Sequence, residues 1–131
     1  MSHFLRPLLG SQPVARTLVN ERTGSVVADM LETAFDSGTR RRGLLGRDDL
    51  AAGAAMVIAP CNAVHTCRMR FPIDVVFVAR DGRVTKIVRR LAAWRAAASF
   101  PAFATIELRA GAVDDTDLVV GDRLALGAPG A

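Results

Sequence analysis

Apolar residues in this chain alternate with polar ones far more often than they recur at helical spacing, and alternation predicts strands. The strongest run is residues 73–78, Ile-Asp-Val-Val-Phe-Val, apolar and β-branched almost throughout, as in a strand buried on both faces. Asp74 is its one polar member. Arg80-Asp81-Gly82-Arg83 follows, and Asp-Gly supplies the positive φ that a tight hairpin needs. The return strand is residues 83–89, with Val84, Ile87 and Val88 as its apolar members. Just before the run, residues 65–70 alternate as an extended segment would. His65, Cys67 and Met69 then share one face, and Thr66, Arg68 and Arg70 the other. Pro72 has no N–H and marks a strand start, an edge or a bulge.

The remaining pattern is weaker but of the same kind. Residues 1–13 read as a flexible lead-in closed by Pro13. Residues 14–22 and 26–33 read as a hairpin about Thr23-Gly24-Ser25. Asp36 or Ser37 is a helix N-cap, residues 40–45 are the helix, and Gly46 is its left-handed cap. Propensity alone does not hold so short a helix, so Leu44 and Leu45 must dock it on the sheet. Residues 54–59 are a short buried strand broken by Pro60-Cys61-Asn62. Residues 91–100 are a wrapping loop or a poor helix around Trp94. In residues 102–109, Phe103, Thr105, Glu107 and Arg109 alternate with Ala104, Ile106 and Leu108, the pattern of a half-buried strand. Gly121-Asp122 turns into a last strand, residues 123–126, and residues 127–131 form a frayed tail. A single β-rich domain over residues 14–126 is the resulting expectation.

Composition narrows the class. A chain of 131 residues is one domain, long enough to bury a core without disulfides. No apolar run approaches a membrane span, and the first residues do not make a secretory signal. A cytoplasmic protein is expected, with Cys61 and Cys67 as free thiols. The net charge of +4 comes almost wholly from arginine, since Lys86 is the single lysine. No basic run is interleaved with aromatics, so nucleic acid is not the expected partner.

The motif order resembles a known family. The motifs are the helix segment with Arg40, Gly43, Leu44, Arg47 and Leu50, and Met69-Arg70 with Pro72-Ile73-Asp74. The hairpin Asp81-Gly82, then Glu107-Leu108 with Gly111, and Gly121-Asp122 complete the set. In this order, over roughly residues 16–126, they resemble the family called domain of unknown function 192. That resemblance implies a mainly β fold, a compact antiparallel β-sandwich or barrel of jelly-roll type with one short helix. It implies no established activity. Many members have a longer, Asn-Thr-containing link where this chain has Phe71 alone, and a bulky aromatic where it has Cys67.

Three kinds of chemistry are open to these residues, and whether the protein is an enzyme is left open with them. Arg40, Arg47, Arg68 and Arg70 can form an anion-binding rim fixed by Asp74 and Glu107, since arginine forks fit carboxylates and phosphates. A small non-catalytic binding or accessory domain, for a small anionic ligand or a protein partner, is the leading expectation, with no cofactor. Cys61, His65, Cys67 and Met69 offer the soft donors that zinc or copper takes, with Asp74 behind them. Cys61 as thiolate with His65 as base is the enzymatic alternative. Each residue also has an ordinary role. Methionine and cysteine fill cores, arginines solvate faces, and a buried aspartate needs only a partner.

Overall fold

A computed structural model describes residues 3–9, 17–44 and 46–127. Ten strands dominate its regular structure: β1 (Thr17–Asn20), β2 (Val26–Ala28), β3 (Met30–Ala34), β4 (Ala54–Ile58), β5 (Ala63–His65), β6 (Ile73–Val78), β7 (Val84–Leu91), β8 (Ala96–Ala98), β9 (Ala104–Arg109) and β10 (Leu124–Gly127). Two short helices, α1 (Ser37–Arg42) and α2 (Ala112–Asp115), and a 3-10 turn at Arg6–Leu8 complete it. A five-stranded sheet, in the order β3-β4-β9-β6-β7, is the middle layer. The three-stranded sheet β10-β1-β2 packs on one face, and α1 with the ribbon β5-β8 covers the other. Among the described residues the architecture is sandwich-like and mainly β, with no closed barrel. One pair departs from the antiparallel expectation, since β3 and β4 run parallel.

Strand alternation sorts the core. Val76, Val78, Ile106 and Leu108 meet Leu18, Val27, Leu124 and the α2 residue Val113 on one face. Ile73, Val75, Phe77, Met56 and Ile58 meet Leu44, Leu50, Met69 and Leu91 on the other. All six residues of β6 are buried, as its composition requires. Full burial of such a side chain is worth about 1.5–3 kcal/mol.

The expected return strand 26–33 is in fact two strands. The chain changes sheets at Asp29, whose N–H donates to the Gly53 carbonyl at 2.9 Å. Periodicity cannot show this, because alternation continues through the switch. Helix α1 is capped by Asp36, whose carboxylate accepts from the Thr39 N–H at 2.8 Å. It ends at Gly43, not Gly46; both have positive φ, 48° and 82°, but the Gly43 N–H closes the last turn on Thr39. The lead-in is packed where it is described. The Phe4 N–H donates to the Arg80 carbonyl at 2.8 Å, and Leu5 and Leu8 are buried against Val57 and Ala104. Residues 14–16, Leu45 and the tail 128–131 lie outside the described residues.

The Asp81-Gly82 hairpin forms as expected, with Gly82 at φ 91°. A Cβ there would collide with the Leu124 carbonyl oxygen, because β10 also docks on this turn. At the neighbouring turn the buried Asp122 carboxylate accepts from Asn20 Nδ2 at 2.8 Å, Arg22 Nε at 2.6 Å and the Val119 N–H at 3.0 Å. These bonds, the Arg22 side chain foremost, pull its carboxyl down to about 2.

Candidate functional site: a pocket floored by Glu107

Strand β9 is central, not half-buried, with β4 on one side and β6 on the other. Its supposed solvent face is therefore covered. Thr105 is fully buried and donates to the Cys61 carbonyl at 3.0 Å. Glu107 is 6% exposed and among the described residues has no hydrogen-bond partner for its carboxylate. Burial pushes that carboxyl from 4.5 up to about 7.

Glu107 opens onto a pocket of about 390 Å³ between α1 and β5. Buried Leu44, Ile58 and Met69 form the floor around it. Ser37, Arg40 and His65 are the polar rim, and Cys61 and Val64 lie on the wall. Each is placed by local structure. Gly43 ends α1 and brings the backbone over the carboxylate, so that a Cβ on it would stand 3.7 Å from Glu107 Oε1. Arg40 is held by one guanidinium nitrogen, Nη1, which donates to the Phe35 carbonyl at 2.8 Å. Cys61 donates its thiol to the Ala63 carbonyl at 3.2 Å.

Residues 65–70 are not one strand. β5 stops at His65, and the Met69 N–H bonds the Thr66 carbonyl at 3.0 Å in a turn with Arg68 at φ 63°. The Thr66 hydroxyl anchors that turn to the Ala92 carbonyl, and a tertiary anchor of this kind is not visible in the alternation. Of the soft-donor set, Cys61, His65 and Met69 line the pocket, whereas Cys67 is not part of its lining. The Cys67 N–H donates to His65 Nδ1 at 3.3 Å. Among the described residues, no three of His, Cys, Asp and Glu come together at metal-binding spacing.

The arginines disperse as well. Arg47 pairs with Glu32 at 2.7 Å and Arg70 with Asp48 at 2.6 Å, both near the surface, and Arg68 is exposed on its turn. Only Arg40 of the four lines the Glu107 pocket. The side chains of Arg41 and Arg42 lie outside what is described. Asp74 joins neither set. Its carboxylate accepts three backbone N–H groups, from Arg90 at 2.9 Å, Gly111 at 3.1 Å and Val113 at 3.0 Å. It thereby fills the bulge where β7 slips register against β6, and fixes the start of α2.

Fold and pocket define a small, mainly β domain with sandwich-like layers and one buried carboxylate open to a ligand-sized space. The family model described as "Uncharacterized ACR", domain of unknown function 192, matches residues 18–126, and the chain belongs to that family. Its members have no established activity. A solved structure from Sinorhizobium meliloti 1021, provisionally named a transcription regulator, is similar at 25% identity and a TM-score of 0.74. The match covers 84% of this chain and 90% of that one. A protein of unknown function from Novosphingobium aromaticivorans DSM 12444 is similar at 24% identity and a TM-score of 0.69, over 82% and 81% of the two chains. No curated protein matches. No helix among the described residues is long and apolar enough to cross a membrane.

Proposed function

We propose that this protein is a non-catalytic binding module for a small molecule, and that its site is the pocket over Glu107. The observation behind this reading is the Glu107 carboxyl itself, buried and unpartnered among the described residues at the floor of a 390 Å³ space. Its oxygens are not sealed off, so whatever enters the pocket can reach them. An unpartnered carboxyl facing a pocket is the kind of group a ligand satisfies. The pocket volume falls in the range small ligands use. Arg40 at the rim retains the arginine part of the expected anion site, reduced from four residues to one.

The regulator name of the Sinorhizobium meliloti neighbour would make nucleic acid the partner. The described surface favours the small ligand instead. Arg47, Arg70, Arg89 and Arg123 each pair with a separate acid, Glu32, Asp48, Asp114 and Asp81, which takes four arginines out of any anion-binding surface. The free thiols of Cys61 and Cys67 fit a reducing, cytoplasmic setting.

Fragment screening by NMR tests the reading. Labelled methyl groups of Met69, Leu44 and Ile58 should shift together on binding, and Glu107→Gln should weaken the hits. A library whose hits leave those methyls unmoved would overturn it.

A further inference from the structure

The order of groups from floor to rim constrains the ligand's chemistry. Resting on the binding reading above, we propose that the pocket takes a small zwitterion, with an amine directed to Glu107 and a carboxylate left at Arg40. The floor presents an acceptor with no donor beside it, enclosed by Leu44, Ile58 and Met69. The ionised form of Glu107 calls for a donor, and an ammonium makes a charge-assisted hydrogen bond to a carboxylate. The rim presents the opposite sign. Arg40 lines it; its Nη1 donates to the Phe35 carbonyl, its charge helps hold the Asp36 carboxyl low, and it forms no direct ion pair with a described carboxylate. A plain amine would therefore pass a cation on entry and leave its far end unrecognised. A plain carboxylate would be held at the rim with nothing to satisfy Glu107. The apolar lining of Val64, Ile58 and Met69 suits a short methylene chain.

Besides Glu107, the ionisable groups facing the pocket among the described residues are Arg40 from α1, Cys61 from the loop after β4 and His65 from β5; Met56 and Val75, the register partners of Glu107, are apolar. An amine needs Glu107 ionised, so binding near neutrality should release a proton and tighten as pH rises through about 7.

Calorimetry with δ-aminovalerate, n-pentylamine and valerate on the intact protein separates the possibilities. The zwitterion should bind at least about tenfold more tightly than either single-charge probe. Arg40→Gln should lower its affinity to that of pentylamine, Arg40→Lys should retain part of the difference, and Glu107→Gln should lower it to that of valerate. Melting curves establish that each variant folds, and His65→Gln takes the imidazole out of the pH profile. Valerate binding best, and more tightly as pH falls, would overturn the proposal in favour of a protonated Glu107 receiving an acid. Pentylamine matching the zwitterion would overturn the role of Arg40. If none of the three binds while fragments do enter the pocket, the zwitterion fails and the binding reading survives. If nothing enters, both fail.

Discussion

Asp74 and Glu107 are buried carboxylates on adjacent strands, facing opposite sides of one sheet. Asp74 stands opposite Leu108, and Val75 opposite Glu107, so the one-residue offset sends them to different layers. Asp74 meets three backbone N–H groups. Glu107 meets none among the described residues and looks into a pocket. Two acids in equally apolar strands thus have different duties, one holding the fold together and the other left for a partner.

Replacing Asp74 by Asn should destabilise the domain by on the order of 1–3 kcal/mol. The amide keeps one acceptor oxygen where the carboxylate has two, so either the bulge N–H of Arg90 or the pair from Gly111 and Val113 loses its partner. Chemical denaturation measures the loss, and an unchanged midpoint would contradict this latch.

Glu107 should have the opposite signature. The unfolded chain gives up this proton near 4.5, and the folded protein near 7. Between those values the native state binds the extra proton, so stability falls as pH rises through the window and levels off above it. The loss is on the order of 3 kcal/mol. Glu107→Gln should flatten this slope, and denaturation at several pH values reads the difference.

Asp122 predicts loss on the acid side. Its folded carboxyl lies at about 2, below its unfolded value of 3.8. Its stabilising contribution is complete above about 4 and lost as pH falls through about 2. Asp122→Asn should therefore be less stable than wild type at neutral pH, with the gap closing in that acid window. The same denaturation series in acid checks it.

Much of the fold was legible because local chemistry and burial agree. The β6 run, the Asp81-Gly82 turn and the Asp36 cap all form where their residues imply. What was not legible depends on tertiary placement. Alternation marked Glu107 as facing away from Ile106 and Leu108, but could not show that β4 and β6 flank its strand or that α1 covers it. The one chemical role the sequence reading gave it was as a possible brace for arginines. Its place beside Leu108 and Gly111 in the family motif was the available signal. The His65, Cys67 and Met69 face dissolved because the chain turns at Arg68, and a left-handed arginine has no sequence signature. The arginine rim dissolved because Glu32 and Asp48, distant in sequence, take Arg47 and Arg70.

The most direct test is a pH titration of the Glu107 side-chain carboxyl by carbon-13 NMR, first alone and then with a pocket ligand. A midpoint of about 7 in the free protein, moving down when the pocket is filled by a donor, is the predicted result. A midpoint near 4.5 that ignores every pocket ligand would mean a solvated or already partnered carboxylate, and would contradict the account.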